Sequence, residues 1–266
     1  MSSPRFVRIE RFDEPELEHV AEIVLDRPES LNAVSSEMAR SIAEVTAAVA
    51  ADETVRCVVL TSSNERAFCV GADLKERNSM SDADLVRQRP TARAAYGGVL
   101  HLPMPAIAAV DGHALGGGFE LALSCDVIIA GEGALVGLPE VGVGVIPGGG
   151  GTQLLVRRVG WSRASRAIFS ATKMTTAEAF EIGAVDELVA QGSARARALE
   201  LASVIGANSP VGLRSAKRAM RLGSDVDLEA GLEIEDACWR ATAFSADRRE
   251  GVAAFAEKRR PNWPGH

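Results

Sequence analysis

Four short apolar stretches, residues 21–25, 56–61, 106–110 and 127–130, are separated by segments whose apolar residues recur at helical spacing. Stretches this short, rich in Val, Ile and Ala and bounded by polar or glycine residues, read as buried strands. Strands that alternate with helices leave few folds open, and the pattern predicts an α/β fold with largely parallel pairing. Residues 6–10 read as a further strand ahead of a polar Asp-Glu-Pro turn. Ser35 or Ser36 can cap a helix to about residue 51, on which Met38, Ile42, Val45 and Val49 share a face. A polar helical stretch follows residue 73 and is ended near residue 100 by Pro103 and Pro105. A helix entered through glycines covers residues 116–123. Beyond residue 151 the strand signal nearly vanishes. Helices are predicted over 152–159, 162–170, 176–182, 193–206, 211–222, 228–241 and 247–258, with 184–189 the one late strand. This places a boundary near residue 195, between a body at 1–195 and a helical region at 196–266. No internal repeat is visible.

The 266 residues, 47% of them hydrophobic, suffice for a large buried core. No apolar run approaches the roughly 20 residues of a membrane span, and the charged opening segment lacks a signal core. Four scattered cysteines without metal or redox spacing fit a reduced, cytoplasmic setting and no bound metal. A net charge of −7 argues against a nucleic-acid partner. It also means that a phosphorylated ligand has to be held by local cations or backbone N–H groups.

Three segments place glycine and acid where a plain core would not. They are Ala67 to Lys75 (AFCVGADLK), Asp111 to Leu121 (DGHALGGGFEL), and Leu138-Pro139-Glu140 followed by Pro147 to Thr152 (PGGGGT). Glycines opening a helix leave N–H groups uncovered at an electropositive end, where an oxygen gaining negative charge is stabilised. Glu120, three residues after Gly117, returns to the same helical face. The plainer reading of each segment is a packing turn, with Glu120 a solvated first-turn acid. The PGGGGT run suggests a phosphate cradle but lacks the lysine of a P-loop. No G-x-S-x-G setting supports a serine hydrolase. His113 and Cys69 read as structural.

Together, AFCVGADLKE, DGHALGGGFELALSCD and LPEVGVGVIPGGGGTQLL closely resemble, in order, the motifs of the enoyl-CoA hydratase/isomerase (crotonase) family. The likeness continues into the late DRREGVAAFAEKRRP. The resemblance implies a crotonase-like spiral of ββα units with an acyl-CoA site in residues 1–195, and a helical C-terminal region at 196–266 that assembles trimers or hexamers. It implies hydration of a 2-enoyl-CoA, with Δ3,Δ2-enoyl-CoA isomerase or specialised acyl-CoA dehydratase as the alternative. By motif position, the backbone N–H groups of Ala72 and Gly117 form the oxyanion hole. Glu120 handles the water, Glu140 supplies the Cα proton, and Gly148 orients the water. Two acids close together are expected to push one pKa upward. CoA contacts are implied at Arg27, Val70, Asp73, Leu74 and Lys75, and at Phe255 and Lys258, where the alternatives are a core residue and an exposed charge. No cofactor is implied beyond CoA as part of the substrate, and neither nucleic acid nor membrane is an expected partner. The stretch 77–100, with Arg87, Arg89 and Arg93, reads as a solvated helix face or as a wall for a polar or acidic acyl group. A non-enzymatic role on the same scaffold has no basic stripe to support it.

Overall fold

The computed structural model describes residues 6–266. Its main sheet is six-stranded. β1 (Val7–Arg11) pairs antiparallel with β2 (Val20–Leu25), and β3 (Cys57–Ser62), β5 (Ala106–Val110), β7 (Val127–Gly131) and β10 (Glu187–Val189) extend from β2 in parallel. The predicted strands are all present. Four shorter ones were not anticipated. β4 (Ala67–Cys69), β6 (His113–Leu115), β8 (Leu135–Gly137) and β9 (Met174–Thr175) form a second, four-stranded sheet. With three residues or fewer they are too short to show any alternation. The chain crosses from the large sheet to the small one and then enters a helix, and it does this three times. β3 and β4 lead to α2 (Leu74–Asn78) and α3 (Asp82–Leu100), β5 and β6 to α4 (Gly117–Ser124), and β7 and β8 to α5 (Gly151–Val159) and α6 (Trp161–Phe169). The ββα spiral therefore exists without a repeat in the sequence.

The helices begin where the chemistry of their first residues dictates. Ser35 caps α1 (Ser36–Ala51), its hydroxyl accepting from the Met38 N–H at 3.2 Å. Ser81 and Asp84 close a reciprocal capping box that separates α3 from α2. α7 (Thr176–Glu181) carries a second such box, from Thr175 and Glu178. Beyond β10 the chain is helical: α8 (Ala194–Gly206), α9 (Pro210–Gly223), α10 (Leu228–Ala243) and α11 (Ala246–Glu257).

Two apolar layers flank the main sheet. Phe68, Phe119, Met38, Ile42 and Leu121 are among the side chains packed on one face. On the other, Ala194, Ala198 and Ala202 of α8 lie against Val20, Cys57, Val59, Ile107 and Ile129. Alanine at every fourth position lets α8 approach the sheet closely. Glu22 is buried in β2 at 1% exposure, with Thr61 donating to its Oε1 at 2.8 Å and the Arg195 fork bonding both oxygens at 2.7 and 2.6 Å. A buried carboxylate is stable only when so satisfied. Among the described residues no helix is long and apolar enough to cross a membrane.

The small sheet and α4 meet without side chains between them. A methyl group at Gly118 would overlap the Cys69 carbonyl oxygen at the end of β4, so Gly118→Ala has to push α4 off that strand. The expected loss is about 1–3 kcal/mol, read by urea denaturation. Gly142→Ala, whose nearest neighbour would stand 3.4 Å away, is expected to change stability far less.

Candidate active site

The three glycine-and-acid segments converge because β4, β6 and β8 are parallel neighbours, so the loops leaving their C-terminal ends lie side by side. Gly71 leaves β4 at φ +92°, and a methyl group there would stand 2.9 Å from the Leu115 carbonyl oxygen and 3.0 Å from the Gly117 nitrogen. Only glycine fits that backbone and that gap. This close approach sets the Ala72 segment against the first turn of α4. Among the described residues neither the Ala72 N–H nor the Gly117 N–H has an acceptor, and both residues line one cavity of about 1090 Å³.

Glu120 is 2% exposed, so it is not a solvated first-turn acid. Its Oε1 accepts from the Gly149 N–H at 2.7 Å and the Gly151 N–H at 2.8 Å. The glycine run thus cradles an anion, but the anion is internal. Burial raises the Glu120 pKa, opposed by the amides of Gly151, Gly149 and Gly148. Glu140 begins a single 3-10 turn after β8, and a methyl group at Gly116 would lie 3.1 Å from its Oε1. Its Oε2 is buried without a hydrogen-bond partner. Burial pushes its pKa up to about 7, with the neighbouring charge of Glu120 adding a smaller push. The upward shift matches expectation; its leading cause is desolvation rather than the second acid.

Of the residues expected here, Val70, Ala72, Leu74, Gly117, Glu120, Glu140 and Gly148 face this one cavity. Asp73 instead caps α2, accepting from the Lys75 and Glu76 N–H groups, and Lys75 is exposed outside the cavity wall. Arg27 donates to Asp73 at 2.7 Å and to the Ala33 carbonyl at 2.7 Å, under a face of Phe6. Phe255 is 89% exposed, which excludes packing in its own core, and Lys258 ends α11 in a left-handed turn. Neither joins this cavity within the chain. His113 is structural: its Nδ1 accepts from the Leu135 N–H at 3.0 Å and so ties β6 to β8. The Cys69 thiol donates to the Asn32 carbonyl at 3.0 Å, and burial pushes its pKa up to about 12.

Sequence reasoning gave three groups in the stretch 77–100 no settled role. Tyr96, the only tyrosine, packs its ring where a Gly149 side chain would go and its hydroxyl beside Gly117. Arg89 donates to the Gly148 carbonyl at 2.7 Å and fixes the glycine loop. Arg77 lines the cavity from α2. The arginine-rich stretch was visible, but which arginines turn inward depends on how α2 and α3 pack.

Fold and site together define an α/β spiral that presents paired amides and paired carboxylates to one cavity. The family model for enoyl-CoA hydratase/isomerase matches residues 16–266. The Bacillus subtilis protein YngF is 44% identical over 93% of this chain and 95% of its own length. Human mitochondrial methylglutaconyl-CoA hydratase is 40% identical over 91% of this chain and 72% of its own. The crystal structure of a Bacillus anthracis enoyl-CoA hydratase superposes with TM-score 0.94 at 37% identity, covering 98% of this chain and all of that one. The chain belongs to the enoyl-CoA hydratase/isomerase family of enzymes and has the crotonase fold.

Glu140 also links stability to pH. Its ordinary value is 4.5 and its folded value about 7, so in that interval the folded chain holds the proton more tightly than the unfolded one. Its contribution is present below pH 4.5 and is lost as pH rises through 7. The melting temperature of the wild type is therefore expected to fall relative to that of Glu140→Gln across this window. Parallel curves would show that Glu140 titrates as an ordinary carboxyl.

Proposed function

We propose that the protein adds water across the 2,3 double bond of a 2-enoyl-CoA thioester. The observation that carries this reading is the pairing, at one cavity, of two unfilled backbone donors with two glutamates, Glu120 buried and Glu140 half-buried. The thioester oxygen sits between the Ala72 and Gly117 N–H groups. Water attacks C3, the C2=C3 electron pair moves toward the carbonyl as an enolate, and C2 then takes a proton. Negative charge grows on the oxygen facing the two amides, and one such donor is worth about 2.7–4 kcal/mol in comparable sites.

The two acids are suited to different halves of the proton traffic. Glu120, held by two amide donors, is favoured as the carboxylate that accepts a proton from water. Glu140, with one oxygen unpaired and a pKa near 7, is favoured as the acid that protonates C2. The presence of both supports hydration over isomerisation, which needs no water. Val70 and Leu74 are proposed to meet the CoA portion. Phe255 and Lys258 are proposed to complete the CoA site of a neighbouring subunit, within a trimer or a pair of trimers built on residues 196–266.

Glu120→Gln and Glu140→Gln are each expected to slow hydration of crotonyl-CoA by about 10²–10⁴-fold, followed by loss of the conjugated thioester's ultraviolet absorbance. Normal rates in both variants would reject the reading. Light scattering is expected to give a mass three or six times that of one chain, since Met220, Leu228, Trp239 and Phe244 are exposed on and beside α9 and α10. A monomer would remove the shared CoA site.

A further inference from the structure

The cavity wall carries more positive charge than hydration of a neutral enoyl group uses. Arg77, Arg89, Arg93 and Lys173 line it, and its only acidic lining residues are Glu120 and Glu140. This occurs in a chain of net charge −7. Arg89 is committed to the Gly148 carbonyl. Arg93 and Lys173 are exposed, where water screens their charge.

Arg77 differs from all three. It is partly buried on α2, one turn beyond Ala72, and faces the cavity. Among the described residues its guanidinium has no hydrogen bond or ion pair. A guanidinium presents five donors in a planar fork that matches a carboxylate. With no protein partner, the Arg77 fork is open to the cavity, and a carboxylate arriving there would replace water with charge-assisted hydrogen bonds. The charge of Arg77 is felt by both Glu140 and Tyr96, so it stands on the reacting side of the cavity.

We infer that the acyl group accepted here ends in a carboxylate, and that Arg77 receives that carboxylate. The inference rests on the acyl-CoA reading of the site and names its substrate class. A CoA phosphate would offer the same charge, so the test has to separate the two anions.

Titration calorimetry on the whole protein would compare glutaryl-CoA, 5-methylhexanoyl-CoA and free CoA. The second ligand replaces the carboxylate of the first by an uncharged group of the same shape. Neither acyl group has a double bond, so binding is read independently of hydration. Glutaryl-CoA is expected to bind about 10- to 100-fold more tightly than its isostere, the range for a charge-assisted hydrogen-bonded pair. Arg77→Met is expected to bring the two within about twofold, and Arg77→Lys to keep part of the difference, since lysine retains the charge but not the fork. Equal affinities in the wild type would overturn the inference. So would an Arg77→Met variant that weakens all three ligands by one factor, because Arg77 would then hold the CoA portion. A clear preference for glutaryl-CoA together with absent hydration would reject the proposed reaction and leave this inference standing.

Discussion

Two short hydrogen bonds, from the Gly149 and Gly151 N–H groups to Glu120 Oε1, hold the rest of the site in place. They join α4 to the start of α5 and fix the glycine loop as one wall of the cavity. Two glycines in that loop are bare for a reason: the Tyr96 ring occupies the space beside Gly149, and the Leu138 side chain and Glu120 Oε1 crowd Gly151 at 2.8 and 3.0 Å. The amides also divide the two acids chemically. Glu120 is the more deeply buried but has donors that stabilise its charge, whereas Glu140 Oε2 has none. Identical side chains in unlike surroundings acquire different proton affinities, which is what a paired acid and base require.

The topology explains why so few residues suffice. β4, β6 and β8 are parallel neighbours in one sheet, and the chain leaves each at the same end. Gly71 and Ala72 follow β4; Gly116, Gly117 and Glu120 follow β6; Glu140 follows β8. One turn of the ββα spiral therefore delivers the first amide, the next delivers the second amide with one acid, and the third delivers the other acid. Parallel sheets commonly place function at the carboxyl ends of their strands. Here the strands are so short that the sheet's chief role is to align those ends.

What the sequence disclosed follows from how each feature is encoded. Strands covered on both faces are almost wholly apolar, the Arg195-paired Glu22 of β2 being an exception, so β2, β3, β5 and β7 stood out, and caps such as Ser35 marked helix starts. The small sheet was illegible, because three residues carry no period. The site was legible where it depends on backbone: Gly71, Gly116 and Gly117 are bare because no side chain fits, and that constraint is written in residue type. Pairing Glu120 with Glu140 came from motif resemblance, since nothing in their spacing brings them to one cavity.

The acyl wall is encoded differently again. Tyr96, Arg77 and Arg89 sit on α2 and α3, in a stretch whose polarity equally suits a solvated face. Their roles arise from rotation and packing of those helices, and a helix can exchange such residues without disturbing any glycine. The amide pair and acid pair define the chemistry and are pinned by steric exclusion, whereas the wall opposite them is free to vary. A site built this way keeps one reaction geometry while its choice of acyl group is set by a few side chains. The unpaired guanidinium of Arg77 belongs to this variable wall and not to the sterically pinned part of the site.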